Sequence, residues 1–208
     1  MLAGYGRRIV LHGVTLDVQP GECVALLGAN GAGKTTMVRL LVGLVKPTSG
    51  SVQVGHWEAS RKRPDEMAAR VGYAFQHADQ QLFARTILED VSFGPRRLGI
   101  GTDGVPAVLS ELGLEQYAGR HPYDVPAPLR KLVALAGVLA MRTPVLVLDE
   151  PTAGFDGAMR ALVDGAVQRR LDQGVTVIMI SHDLVFVRAV AHREVVLENG
   201  LIVADSRR

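Results

Sequence analysis

The chain has little cysteine: among its 208 residues the single one is Cys23, inside the apolar run CVALLG. One thiol excludes a disulfide within the chain, and its apolar neighbours indicate a buried structural thiol rather than a reactive one. Neither sign of charge is in excess, because 23 Lys and Arg residues face 21 Asp and Glu residues, for a formal net charge of +2. This balance points to no polyanionic partner, so we expect no nucleic acid.

Long apolar runs are also missing. No run approaches the roughly 18 residues that a membrane-spanning helix needs. The first residues, MLAGYGRR, contain no apolar signal region. We therefore expect a soluble, cytoplasmic protein whose link to any membrane goes through a partner.

What the chain does contain is an alternation of apolar strands and helices. The predicted strands are Ile9–Val18, Cys23–Gly28, Ser51–Val54, Val71–Gln76, Val145–Glu150 and Val175–His182. Residues 35–44 and 158–174 have helical spacing, and an Asn-Gly pair between two apolar runs near residue 200 predicts a hairpin. The segment RKRPDE (61–66) is predicted to be a charged loop. The alternation predicts an α/β fold with a mainly parallel sheet and antiparallel β elements.

The pattern from Leu82 to Met141 is mostly helical and is interrupted by Gly and Pro residues. We predict a single domain over residues 1–208. Its core lobe spans 1–78 and 142–208, and a helical lobe is inserted at about 79–141.

A phosphate-binding loop is the strongest motif. GANGAGKT, Gly28–Thr35, matches the pattern G-x-x-x-x-G-K-[ST] and lies between a buried strand and a helix, as that motif requires. Glycines let the backbone fold around an anion, and successive N–H groups at a helix N-terminus supply positive potential. Lys34 would hold the β and γ phosphates, and the Thr35 hydroxyl would ligate Mg²⁺. The predicted ATP-binding residues are Gly28, Ala29, Asn30, Gly31, Ala32, Gly33, Lys34, Thr35 and Thr36.

Two adjacent carboxylates end the apolar strand VLVLDE. Asp149 is predicted to hold Mg²⁺ through water. Glu150 points the other way and is predicted to polarise a water for in-line attack on the γ phosphate.

The motifs GANGAGKT, AFQ, LVLDEPTAGFD and ISHD stand in an order that resembles the ATP-binding-cassette (ABC) ATPases, and the resemblance covers nearly the whole chain. It implies that Gln76 senses Mg²⁺ and the attacking water, and that His182 contacts the γ phosphate. It also implies that Asp156 lies in a loop facing a partner subunit. Tyr5 matches the aromatic residue that stacks on adenine, although a Tyr near a terminus is equally a packing residue.

A finer resemblance lies at FQHADQQLFARTILEDVSFGPRRLG and at ALAGVLAMRTPVLVLDEPTAGFD. Both segments resemble the energy-coupling-factor (ECF) branch, whose ATPases power the uptake of vitamins, Co²⁺ or Ni²⁺. The resemblance implies a transmembrane coupling subunit and a separate substrate-binding membrane subunit. It also implies that the loop with Asp79, Gln80 and Gln81 receives a cytoplasmic helix of the membrane subunit.

One family motif is degenerate. Aligned through ALAGVLA, residues 125–129 (VPAPL) fall where the family carries LSGGQ, whose Ser hydroxyl and Gly N–H groups bind the γ phosphate of the opposite subunit. Pro126 removes the hydroxyl and one N–H, and Pro128 removes another, while Ala127 lies between them at the predicted dimer interface. Losing two hydrogen bonds of roughly 1.5–3 kcal/mol each would slow hydrolysis about 10²- to 10⁴-fold.

Two further departures concern the ends of the chain. Only four residues precede Tyr5, so we expect the family's first strand to be mostly absent, and the chain ends soon after the predicted hairpin. The hypothesis is an ATPase subunit of an ECF-type importer, peripheral on the inner face of the plasma membrane, paired with a different ABC ATPase. The alternatives are an ATP-binding regulatory subunit that barely turns over, and an ABC ATPase of repair or translation.

Overall fold

The computed structural model describes residues 1–6, 8–77 and 81–208. In these residues the strands are β1 (Leu2–Tyr5), β2 (Arg8–His12), β3 (Cys23–Leu27), β4 (Pro47–Ser49), β5 (Gln53–Val54), β6 (Trp57–Glu58), β7 (Val71–Ala74), β8 (Val145–Asp149), β9 (Thr176–Ile180), β10 (Arg193–Glu198) and β11 (Leu201–Arg207). The α-helices are α1 (Lys34–Leu41), α2 (Pro64–Met67), α3 (Ile87–Leu98), α4 (Val105–Glu111), α5 (Ala127–Ala140), α6 (Gly157–Asp172) and α7 (Leu184–Val190).

A six-stranded sheet in the order β11-β10-β3-β9-β8-β7 forms the centre of the molecule. Neighbours from β10 to β7 run parallel, and β11 is antiparallel to β10 at one edge. Strands β3, β8 and β9 are almost fully buried, because helices cover both faces of a parallel sheet. Asn199 and Gly200 have φ values of 48° and 77°, as a type I′ hairpin turn requires. The predicted α/β fold and its C-terminal hairpin are confirmed.

A smaller antiparallel sheet corrects two predictions about the N-terminal part. Strand β1 lies between β2 and β4, so the first strand that we expected to be mostly absent is present at Leu2–Tyr5. The strand predicted over Ile9–Val18 ends at His12. Gly13 turns the chain there with a φ of 84°, and the N–H groups of Gly13 and Val14 both donate to the carbonyl of Met1.

The segment RKRPDE is not a plain loop. A 3₁₀ turn covers Ala59–Arg61, and α2 begins at Pro64 with the Glu66 carboxylate accepting from the Arg63 N–H at 3.0 Å. Pro at the first helical position and this carboxylate explain why a charged stretch starts a helix. Helices α3, α4 and α5 lie within the range predicted as helical, and their apolar faces join the core below the sheet.

Candidate functional site

The loop between β3 and α1 has glycine at two positions where the backbone leaves no room for a side chain. Gly28 has a φ of 135°, and a Cβ atom there would lie 2.1 Å from the Leu197 carbonyl oxygen. Gly33, with a φ of 109°, precedes α1, and its Cβ would lie 2.6 Å from Cδ2 of Leu11. The loop therefore packs closely against Leu197 of β10 and Leu11 of β2, with no room for a side chain at Gly28 or Gly33.

The N-terminus of α1 opens onto this loop. The first intrahelical bond runs from the Met37 N–H to the Gly33 carbonyl, so the N–H groups of Lys34, Thr35 and Thr36 have no partner within the helix. The Lys34 Nζ atom donates to the carbonyl oxygens of Gly28 (2.6 Å) and Ala29 (3.0 Å). Burial lowers the pKa of Lys34, and the charges of Glu150 and Asp149 oppose that shift. The ammonium therefore lies folded over the loop, with carboxylates nearby.

Asp149 ends β8 at the same edge of the sheet. It is buried, and its Oδ2 atom accepts a hydrogen bond from the Tyr73 hydroxyl at 3.1 Å. Burial raises its pKa, whereas the Tyr73 hydrogen bond and the charges of Arg39 and Lys34 act in the opposite direction. Two positive charges and one hydroxyl thus stabilise a carboxylate that is mostly removed from water.

Glu150 follows Asp149 in a left-handed conformation, with a φ of 52°. Its N–H donates to the Ile180 carbonyl at 2.8 Å, and its Oε2 accepts from the His182 N–H at 3.3 Å. Its Oε1 atom is buried, has no hydrogen-bond partner in the part of the chain that the structure describes, and lies 3.5 Å from Nε2 of His182. A non-glycine residue with positive φ is strained, and these contacts to the end of β9 hold Glu150 in that conformation.

The residue after His182 performs an unpredicted structural role. Asp183 caps α7 by accepting from the N–H groups of Val185 and Phe186, while the His182 side chain remains 58% exposed. Asp183 also accepts from the Thr152 hydroxyl (3.1 Å) and pairs with Arg160 at 2.8 Å. This network joins the loop after β9 to the loop after β8. A single sequence offers no spacing rule that would have found it.

Gln76 and Tyr5 lie at the surface. Gln76 is exposed just beyond β7, the strand next to β8. Tyr5 is 45% exposed, and its hydroxyl accepts from the Arg39 guanidinium at 3.2 Å. The amide of Gln81 accepts from the Phe75 N–H and donates to the Tyr73 carbonyl. Asp79 and Gln80 lie outside the described residues.

The prolines of VPAPL start α5. Pro126 is the residue before the helix, and its carbonyl accepts from the Arg130 N–H at 3.1 Å; Pro128 occupies the second helical position. Pro126 and Ala127 are exposed, and no side chain caps this helix. Asp156, also exposed, caps α6 through the Met159 N–H at 2.8 Å.

The residues around the loop fit a magnesium ion only in part. Among the described residues, no three His, Cys, Asp or Glu side chains form a metal-binding group. One buried carboxylate, Asp149, and one hydroxyl, Thr35, are typical of a Mg²⁺ that takes its remaining ligands from phosphate and water. A groove of about 770 Å³ lies beside residues 14–18 and 51–55, and none of residues 28–36 lines it.

Comparison with known proteins agrees with this geometry. The ABC transporter family matches residues 11–153. The ECF transporter ATP-binding protein EcfA2 of Clostridium perfringens is 37% identical over 211 residues, covering 96% of this chain and 73% of that protein. The structure of cbiO1 from C. perfringens, part of the ABC transporter complex cbiONQ, has a TM-score of 0.84 at 30% identity, covering 99% and 86% of the two chains. A dimeric ATP-binding cassette in a post-hydrolysis state with ADP and Pi has a TM-score of 0.85 at 25% identity, covering 99% and 94%.

The chain belongs to the ABC transporter ATPase family. Within that family it is, by homology, an ATP-binding subunit of an ECF-type transporter. No helix in the described part of the chain is long and apolar enough to span a bilayer.

Proposed function

We propose that this chain binds MgATP in its own half-site and hydrolyses it when a second, different ABC ATPase supplies an intact signature helix. The free energy of ATP hydrolysis would drive uptake of a vitamin or of Co²⁺ or Ni²⁺ through a coupling subunit and a substrate-binding subunit in the membrane. The chain would then lie on the cytoplasmic face of that membrane. The observation that carries the proposal is the contrast between a complete phosphate loop with Glu150 and a prolyl start of α5.

In the proposed site each residue has one task. The backbone around Gly28–Thr36 and the Lys34 ammonium would bind the phosphates, Thr35 and Asp149 would hold Mg²⁺, and Tyr5 would lie against adenine. Mg²⁺, when bound, would neutralise phosphate charge. The orphan Oε1 of Glu150 is available to accept a proton from water, and the imidazole of His182 is within reach of it.

The reverse site would be poor. Pro128 has no N–H to offer, and Pro126 offers neither an N–H nor a hydroxyl to an anion in front of α5. Exposure of Pro126 and Ala127 agrees with a surface that meets a partner, and Asp156, in the chain's other candidate interface loop, is exposed as well. A homodimer would carry two such sites and would hydrolyse ATP slowly.

The test is the steady-state ATPase rate of the purified chain, compared with a variant that restores the signature through V125L, P126S, A127G, P128G and L129Q. We expect the restored variant to be about 10²- to 10⁴-fold faster, and E150Q in that background to abolish the gain. A rate on the order of 1–10 s⁻¹ from the unmodified chain would contradict the proposal. So would a restored variant that is no faster.

A regulatory ATP-binding subunit is the second candidate, and the same prolines favour it. The two candidates differ in the expected effect of E150Q on a complex that contains both ATPases. If this chain is a regulatory subunit, E150Q should leave the total ATPase rate of the complex nearly unchanged. If the main proposal holds, E150Q should remove most of that rate.

Coupling to the membrane subunit is proposed to use the loop with Asp79, Gln80 and Gln81. Phe83, two residues after Gln81 in the chain, is exposed and packs edge to face against exposed Phe93 at 4.7 Å; the two rings would supply apolar contact area. D79R would oppose a basic membrane-subunit helix, so transport should fall while ATP hydrolysis continues. Normal assembly and transport by D79R would show that the contact lies elsewhere.

A further inference from the structure

Tyr73 and Asp149 lie on neighbouring parallel strands and meet above one face of the sheet. In the register of β7 and β8, Tyr73 is opposite Val147, and Asp149 is two residues beyond Val147. Residues two apart on a strand point to the same face, so the tyrosyl hydroxyl can reach the carboxylate diagonally. The resulting hydrogen bond joins the Tyr73 hydroxyl to Oδ2 of Asp149 at 3.1 Å.

The ring of Tyr73 is held on two sides. Phe75, the residue that follows β7, contacts it edge to face with ring centroids 4.4 Å apart. The ring also packs against the buried cluster below α1.

Arg39, on α1, lies beside this pair. Its guanidinium donates to the Tyr5 hydroxyl, and its positive charge is close enough to interact with both Tyr73 and Asp149. The polar chain Tyr5–Arg39–Tyr73–Asp149 therefore runs from the candidate adenine residue to the candidate metal residue. A tyrosyl donor on a fixed ring sets the rotation of a carboxylate more tightly than water does.

We infer that Tyr73 is a positioning residue that orients the Asp149 carboxylate for Mg²⁺. The inference rests on the proposed function, because it takes Asp149 as the residue that holds the metal. Tyr73 does not touch nucleotide or metal itself. It fixes one carboxylate oxygen and leaves the other available.

The experiment measures the Mg²⁺ dependence of ATP binding in an E150Q background, in which turnover does not deplete the ATP. Outer-sphere partners of metal ligands are typically worth 10- to 100-fold in metal affinity. Y73F, which removes one hydroxyl and keeps the ring, should raise the Mg²⁺ midpoint about 10-fold or more. ATP affinity in EDTA should stay within about twofold of the parent, because the phosphate loop is unchanged. Y117F is the matched control, since it removes a tyrosyl hydroxyl from a turn in the helical region and should shift neither quantity.

Three outcomes would overturn the inference. A midpoint in Y73F within twofold of the parent would show that the hydroxyl is not needed for orientation. An equal loss of affinity with Mg²⁺ and with EDTA would show a general structural role. A parent that binds ATP without any Mg²⁺ dependence would remove the metal role of Asp149 as well, and a parent that binds no ATP would contradict the proposed function itself.

Discussion

Nε2 of His182 lies 3.5 Å from Oε1 of Glu150, a buried oxygen with no hydrogen-bond partner among the described residues. The two side chains follow the carboxyl ends of the neighbouring strands β9 and β8. Their backbones are also tied, because the Glu150 N–H donates to Ile180 and the His182 N–H donates to Oε2 of Glu150. Glu150 and His182 therefore form one unit rather than two separate contributors.

The first prediction concerns this unit. H182A should lower the single-turnover hydrolysis rate about 10²-fold, and E150Q by 10²- to 10⁴-fold. Because the residues act together, the double variant should be no slower than E150Q alone. The measurement is ATP hydrolysis by the signature-restored variant in excess over ATP, and multiplicative losses in the double variant would contradict a shared role.

The second prediction concerns Lys34. K34A removes the ammonium that lies over the loop, so ATP affinity measured by calorimetry should fall at least about 100-fold. The matched control is K46A, which truncates an exposed lysine just beyond α1 and should leave affinity unchanged. Equal affinity of K34A and the parent would contradict the phosphate-loop interpretation.

The third prediction concerns an ion cluster between α4 and α6. Glu111 accepts from Arg169 at 2.7 Å and binds Arg170 through two bonds of 2.8 and 2.9 Å. Burial alone would raise the pKa of Glu111, but the hydrogen bonds from Arg170 and Arg169 hold it below its ordinary value. A carboxyl whose folded-state pKa is lowered stabilises the fold above its unfolded pKa, and this contribution is lost as pH falls through the folded value.

E111Q should therefore lower the free energy of unfolding by about 2–3 kcal/mol at neutral pH. The difference from the parent should shrink below pH 4.5, the ordinary pKa of the carboxyl. E115Q changes an exposed glutamate in the next turn and should cost almost nothing. Urea unfolding at several pH values measures both, and a pH-independent difference would show that packing, not charge, is responsible.

Much of this site is local in the chain and could therefore be predicted from it. The spacing of Gly28, Gly33 and Lys34 specifies a loop within eight residues, and a run of buried residues ending at Asp149 and Glu150 specifies a strand end. The hairpin at Asn199 follows from two turn residues.

Contacts between distant segments could not be predicted in the same way. Tyr73 and Asp149 are 76 residues apart, and their contact depends on the register of two strands, which one sequence does not specify. The prediction that the strand beginning at Ile9 continues to Val18 was wrong for a similar reason. The alternation of apolar and polar residues continues past His12, and only the hydrogen bonds to the Met1 carbonyl show where the chain turns. The left-handed conformation of Glu150 likewise depends on partners at the end of β9.

The last prediction concerns a hydrogen bond between α5 and the turn that follows Glu150. The Lys131 Nζ atom, one turn into α5, donates to the Ala153 carbonyl at 2.8 Å. Ala153 lies in the turn that connects Glu150 to α6. Burial lowers the pKa of Lys131, and the charge of Glu150 opposes that shift, so the ammonium also lies within the field of the Glu150 carboxylate, the proposed base.

K131M keeps the apolar stem and removes the charge and the donor. Freed from α5, the turn after Glu150 should hold the carboxylate less accurately, and small displacements of a catalytic group are costly in rate. Single-turnover hydrolysis by the signature-restored variant should fall about 10-fold while ATP affinity stays within twofold, because the Lys131 ammonium donates to Ala153 rather than to the phosphate loop. K46M, an exposed lysine with the same change, should alter neither quantity. K131M could instead lower ATP affinity and hydrolysis rate together, or change only the stability of the fold. Either result would show that the Lys131–Ala153 hydrogen bond supports packing and does not position Glu150.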